Sequence, residues 1–62
     1  MFTLKIETDN DAFAGKTELT HELGRILEKL AREVMDTRLH DGDSFSIRDI
    51  NGNTVGEAIY CA

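Results

Sequence analysis

One apolar stripe between Thr17 and Arg38 constrains the fold of this chain more than any other feature. It consists of Leu19, Leu23, Ile26, Leu27, Leu30 and Val34. At about 100° per residue these positions fall within an arc of roughly 100°, which is the pattern of a helix with one buried face. Thr17 is the predicted N-cap, with Glu18 in the first turn near the positive end of the helix dipole. The rest of the chain is therefore expected to form the surface that covers this stripe.

The other faces of the predicted helix are polar or small. The polar face carries Glu22, Arg25, Glu28, Lys29, Arg32 and Asp36. Gly24 and Ala31 lie two turns apart on one flank, where small residues permit the close approach of another backbone. Two interpretations of this flank stay open, namely packing on the protein's own sheet and contact with a second chain.

Three further segments are predicted strands, because their apolar and polar residues alternate with a period of two. Strand one carries Phe2, Leu4 and Ile6 on the predicted core face. Strand two runs from Ser44 to Arg48 and directs Phe45 and Ile47 to the core. Strand three runs from Thr54 to about Cys61 and is apolar on both faces in its second half. Between strand one and the helix, Phe13 is expected to plug one end of the core.

The segment from Asp49 to Asn53 predicts a hairpin between strands two and three. Asn51-Gly52 is a strong hairpin signal, and an Asp three residues before a Gly suits a type I turn closed by a glycine bulge. Two registers follow from the two turn types. A two-residue turn directs Gly56, Ala58 and Tyr60 to the face of Phe45 and Ile47. A three-residue turn with a bulge directs Val55, Glu57 and Ile59 there instead.

The element order is therefore strand, helix, strand, strand, and residues 1–62 form one small α+β domain. The helix returns the chain to its starting end, so strands one and two run parallel and the hairpin makes strand three antiparallel to both. We predict a three-stranded, mostly antiparallel sheet in the order 1-3-2, because this order forms two antiparallel pairs and places the most apolar strand in the middle. The long helix covers one face of that sheet.

The charge excludes some partners. Twelve acidic residues against seven basic ones give a net charge of −5, which repels nucleic-acid phosphates and anionic lipids. We therefore expect no direct binding to nucleic acid or membranes. Cys61 is the only cysteine, and the chain has neither a run of about 18 apolar residues nor a signal-peptide pattern, so a soluble protein of a reducing cytoplasm is expected.

No residue pattern predicts catalysis, a cofactor or a metal. His21 and His40 belong to opposite ends of the helix and cannot converge on one site. Asp9-Asn10-Asp11 begins like a calcium loop but lacks the downstream glycine and glutamate of such loops. We therefore expect a protein that is not an enzyme and that acts through binding.

Three surfaces are candidates for partner binding. The first is an acidic rim at the hairpin end of the sheet, formed by Glu7, Asp9, Asp11 and Asp49. The second is the end of the helix, where Met35 and Leu39 would overhang the shorter strands. The third is the apolar part of strand three, with Ile59 and Tyr60. Through these surfaces the protein would dock on another protein or form a homodimer.

Three stretches together resemble small phage and prophage proteins of uncharacterised function: residues 5–10 (KIETDN) with Ala12-Phe13, residues 25–31 (RILEKLA) and residues 48–57 (RDINGNTVGE). Those proteins tend to continue with Trp and acidic residues after the Gly-Glu pair, whereas this chain continues with Ala58 to Cys61. The resemblance implies no catalytic residues.

The resemblance does imply a role, because small acidic phage proteins often antagonise host machinery, anti-CRISPR proteins that mimic DNA charge among them. We therefore expect an inhibitor of a nucleic-acid-binding protein or nucleoprotein complex in the host cytoplasm. The alternative is a dimerising structural or accessory protein that acts through strand three and the helix end.

Overall fold

The structure is a computed structural model that describes residues 1–62. Its elements are β1 (Phe2–Ile6), a short 3-10 helix (Asp11–Phe13), α1 (Lys16–Asp36), β2 (Ser44–Arg48) and β3 (Thr54–Tyr60). The three strands form one sheet in the order β1-β3-β2, and both pairs are antiparallel. The predicted α+β class, element order and sheet order are confirmed.

The core lies between α1 and one face of the sheet, as the apolar stripe predicts. Its buried side chains are Phe13, Ile26, Leu30, Ile47, Val55 and Ala58. Leu19, Leu23 and Val34 of α1 pack against this group and are half-buried. Leu27, the remaining residue of the stripe, is 46% exposed, which the stripe does not predict. Phe13 plugs the core from the 3-10 helix, with 4% of its surface exposed. The core is small, because only six apolar residues of 62 are buried.

The ends of α1 differ slightly from the prediction. The helix begins at Lys16, with Gly15 rather than Thr17 as its N-cap. Gly15 has φ of 88° and supplies no side-chain hydrogen bond, so the first turn relies on Glu18, which lies there as predicted. The helix ends at Asp36, two residues before the predicted Arg38. The flank of Gly24 and Ala31 is exposed, and no atom lies within 4 Å of a Cβ placed on Gly24, so the interpretation that this flank packs on the chain's own sheet is wrong.

Strand β1 is covered less than its alternation predicts. Phe2 and Leu4 are 41% and 36% exposed, and only Ile6 is half-buried against the core. The reason is the position of α1, which packs on β2 and the 3-10 helix and leaves β1 at the uncovered side of the sheet.

The hairpin combines features of both predicted registers. The Gly52 N–H donates to the Asp49 carbonyl at 3.0 Å, the Asp49 N–H donates to Asn53 at 2.9 Å, and Gly52 has φ of 84°. These are the marks of the three-residue turn with a glycine bulge. Val55 then forms a second bulge, because Arg48 pairs with Thr54 while Ile47 pairs with Gly56. As a result Gly56 and Ala58 lie opposite Ile47 and Phe45, as a two-residue turn would direct them.

Candidate functional site

The hairpin loop is organised around the buried carboxylate of Asp49, which is 4% exposed. One carboxylate oxygen accepts hydrogen bonds from the N–H groups of Asn51 and Asn53, each at 2.9 Å. The other accepts from the side chain of Asn10 at 2.8 Å and from that of Asn53 at 3.3 Å. Burial raises the pKa of Asp49, but these hydrogen bonds outweigh it and hold the pKa below its ordinary value. Asp49 is therefore satisfied inside the loop and is not part of the exposed acidic rim that the sequence predicts.

Asn10 connects this loop to the segment after β1. Its side-chain carbonyl accepts from the N–H of Ala12 at 2.9 Å and caps the 3-10 helix, while its amide group donates to Asp49. The exposed residues Asp9 and Asp11 stand on either side of Asn10. Because both the carbonyl and the amide group of the Asn10 side chain are hydrogen-bonded, the backbone of its neighbours Asp9 and Asp11 is held in a defined position.

Glu22 links α1 to the hairpin. The helix presents Glu22 toward the loop, where its carboxylate is 6% exposed and accepts from the N–H of Ile50 at 2.7 Å. Arg25, one turn later, donates to the same carboxylate through Nε at 2.7 Å and Nη2 at 3.0 Å, and Nη2 also contacts the Arg48 carbonyl at 3.3 Å. The Arg25 hydrogen bond lowers the pKa of Glu22, and Glu22 in turn raises the pKa of Arg25.

The sequence does not predict this connection, because helical periodicity assigns Glu22 to the polar face. The one available signal was the acid-base spacing of three between Glu22 and Arg25. That spacing is common on exposed helices and does not identify a buried pair.

The exposed acids at this end of the molecule are Glu7, Asp9, Asp11 and Glu18. None of them forms an ion pair, since the two ion pairs of the structure are Glu22–Arg25 and His40–Asp43. Residues 7–18 contain these four acids and one base, Lys16, and so contribute three of the five net negative charges. Three of the four predicted rim residues, Glu7, Asp9 and Asp11, are thus exposed and unpaired, Glu18 shares these properties, and Asp49 is buried.

The predicted apolar contact residues do not form one surface. Met35 is 76% exposed near the C-terminal end of α1, whereas Leu39 is half-buried in the following segment. Ile59 and Tyr60 are half-buried on opposite faces of β3, which is the central strand. Ile59 lies on the face that α1 leaves bare, in a shallow depression that Thr3, Lys5 and Glu57 also line.

No group of three or more His, Cys, Asp or Glu side chains is placed to hold a metal ion. No helix combines the length and the apolar composition that crossing a membrane requires. Comparison of the chain with protein-family models, with curated proteins and with solved structures found no match.

Proposed function

We propose that this protein is a non-enzymatic, phage-type inhibitor that binds a basic, nucleic-acid-binding surface of a host protein or nucleoprotein complex in the cytoplasm, in the manner of DNA-mimicking anti-CRISPR proteins. The observation that carries the proposal is the group of exposed, unpaired carboxylates of Glu7, Asp9, Asp11 and Glu18 at one end of the molecule. Carboxylates on a folded surface can occupy a groove that normally binds phosphates, because both are anions that accept hydrogen bonds from Arg and Lys.

The position of these acids supports the proposal further. Asn10 holds the loop between Asp9 and Asp11 through its bonds to Ala12 and Asp49, and Asp49 is itself held by the hairpin. An acidic surface that is ordered before binding loses less conformational entropy on docking than a flexible acidic tail. Asp49 thus supports the proposed surface by fixing the loop that carries Asp9 and Asp11, without contacting the partner.

Charge reversal tests this proposal. The double variant Asp9→Lys/Asp11→Lys should lose inhibition of CRISPR interference, measured as plaque formation of a phage that carries the protein on CRISPR-armed hosts. The matched control is Glu28→Lys/Asp36→Lys, which has the same net charge but changes exposed residues of α1 outside the acidic end. Unchanged plaque formation with the Asp9/Asp11 variant would contradict the proposal.

Ionic strength separates this function from the alternative of a dimerising accessory protein. The observation in favour of that alternative is the exposed apolar side chain of Met35 at the helix end. Capture of a host partner through carboxylates should weaken steeply between low and high salt, whereas apolar docking through Met35 should hardly change. Capture from host lysate at two salt concentrations, repeated with a Met35→Glu variant, distinguishes the two.

A further inference from the structure

The outer edge of β1 carries backbone groups that no other strand of the chain pairs. The Met1 carbonyl accepts from the Cys61 N–H at 2.8 Å, and the Glu7 N–H donates to the Val55 carbonyl at 2.7 Å. Residues that bond to a given neighbour alternate along an antiparallel ladder. Residues 1, 3, 5 and 7 therefore face β3, and the N–H and C=O groups of Phe2, Leu4 and Ile6 point away from it.

The same residues place apolar side chains beside this edge. Phe2 and Leu4 share the sheet face of the core and are 41% and 36% exposed. On α1, the side that carries Glu22 and Arg25 contacts the hairpin, and Leu27, 46% exposed, lies on the opposite side of the apolar stripe, toward β1. An uncovered apolar surface thus adjoins a row of unpaired backbone groups.

The other outer strand lacks this combination. The Tyr60 N–H donates to the Asp43 carbonyl at 2.9 Å. By the same alternation, the backbone N–H and C=O groups of Ser44, Ser46 and Arg48 point to the free edge of β2. All three are polar and exposed. Natural proteins protect free edges with charges, bulges or proline. Between Phe2 and Ile6 the only such device is Lys5.

The exposed area of the chain is large for its mass. The protein exposes 4607 Å², whereas the scaling for folded monomers gives about 4000 Å² for 6.9 kDa. The excess of about 600 Å² is comparable to the roughly 800 Å² that one partner contributes to a standard interface. A second copy on the β1 edge would cover part of Phe2, Leu4 and Leu27, which are among the exposed large apolar side chains of the chain.

We propose that β1 pairs antiparallel with β1 of a second copy, which forms a continuous six-stranded sheet with Leu4 opposite Leu4 of its mate. In this register Phe2 lies opposite Ile6 of the mate, so every outward N–H and C=O of Phe2, Leu4 and Ile6 gains a partner. A shift to Phe2 opposite Leu4 leaves Ile6 unpaired. Residues 2–6 contain no acid, so the contact forms without bringing carboxylates together in a chain of net charge −5. The dimer does not depend on the acidic end and stands whether or not the proposed function does.

Disulfide formation tests both that β1 pairs with a second copy of the chain and that Leu4 lies opposite Leu4. In a Cys61→Ser background, Leu4→Cys places two thiols opposite each other at a Cα separation of about 5.5 Å, which a disulfide spans. Thr3→Cys is the matched control, because residue 3 of the second copy lies diagonally across the strand pair from Thr3, at about 7–8 Å, which is too far for a disulfide. We expect a covalent dimer with Leu4→Cys and much less with Thr3→Cys. The proposal is overturned if Leu4→Cys stays monomeric under oxidising conditions, or if both variants cross-link equally.

A proline variant tests the pairing without a covalent bond. Leu4→Pro removes one outward N–H, which an edge strand tolerates, whereas Leu4→Val shortens the side chain to a similar size and keeps the N–H. Sedimentation at micromolar concentration should give twice the chain mass of 6.9 kDa for the unsubstituted protein and for Leu4→Val, and the chain mass for Leu4→Pro. A monomeric unsubstituted protein, or a dimeric Leu4→Pro with intact helical circular dichroism, overturns the proposal. If Leu4→Pro does not fold, the disulfide result decides.

Discussion

The backbone N–H of Ile50 donates a 2.7 Å hydrogen bond to the carboxylate of Glu22, although 28 residues separate the two in sequence. This bond joins the hairpin loop to the first half of α1. Because Arg25 completes the hydrogen bonding of the carboxylate, the charge of Glu22 is compensated where it is buried. The acidic end of the molecule therefore rests on a polar connection as well as on the small apolar core.

Removal of the Glu22 carboxylate should destabilise the protein. Glu22→Ala removes the acceptor of the Ile50 N–H and of the Arg25 guanidinium, and because these hydrogen bonds are part-buried, we expect a loss of about 1 kcal/mol. Urea unfolding monitored by circular dichroism measures the loss. Glu28→Ala is the control, because Glu28 is exposed on the same helix and should change the free energy of unfolding by less than about 0.5 kcal/mol. Equal effects of the two substitutions would show that the Glu22 contact has no special weight.

Stability should fall in acid. The hydrogen bonds from Arg25 and Ile50 hold the pKa of Glu22 below 4.5, and the loop hydrogen bonds hold that of Asp49 below 3.8. A carboxyl whose pKa is lowered by folding stabilises the protein fully above its unfolded pKa, and this contribution is lost as the pH falls through the folded pKa.

We therefore expect the free energy of unfolding to decline below pH 4.5, as measured by urea titrations at a series of pH values. Glu22→Gln should be less stable at neutral pH and should show a shallower decline, because one titrating group is gone. A decline of unchanged slope in Glu22→Gln would contradict the role of Glu22.

Two glycines should respond oppositely to alanine. At Gly56 a Cβ would lie 2.0 Å from the Lys5 carbonyl oxygen, because β1 approaches β3 closely there, so Gly56→Ala should destabilise by about 3 kcal/mol, the upper end of ordinary overpacking. At Gly24 a Cβ meets nothing within 4 Å, and the higher helix propensity of Ala should stabilise the protein by about 1 kcal/mol. Thermal unfolding of both variants checks the pair. A neutral Gly56→Ala would mean that β1 can move away from β3 at no cost.

The two classes of acid at the hairpin end should separate in stability measurements. Asp49→Ala removes the acceptor for Asn10, Asn51 and Asn53 and should lower the melting temperature clearly. Asp11→Ala removes an exposed, unpaired charge and should leave the melting temperature nearly unchanged or raise it slightly, since the chain is already acidic. A larger loss of melting temperature with Asp11→Ala than with Asp49→Ala would contradict the buried, hydrogen-bonded role of Asp49.

The sequence by itself determined the elements and their order. The stripe from Leu19 to Val34 predicts α1 and its buried face, the alternation in the strand segments predicts the sheet, and Asp49 with Gly52 predicts the turn. These signals are reliable because each depends on the periodicity or the backbone requirement of one continuous segment. The order β1-β3-β2 followed from element order and apolar composition.

Only the tertiary structure decided which predicted faces are covered. Glu22 is buried because the hairpin loop lies over it, and Phe2 and Leu4 stay half-exposed because α1 packs nearer β2 than β1. The three-residue turn alone would direct Glu57 and Ile59 to the core face of β3. The bulge at Val55 reverses this alternation, so that Gly56 and Ala58 lie opposite Ile47 and Phe45. Periodicity shows how one segment divides into an apolar and a polar side. Whether a side is buried depends on which other segment packs against it, and the sequence of a single segment does not contain that information.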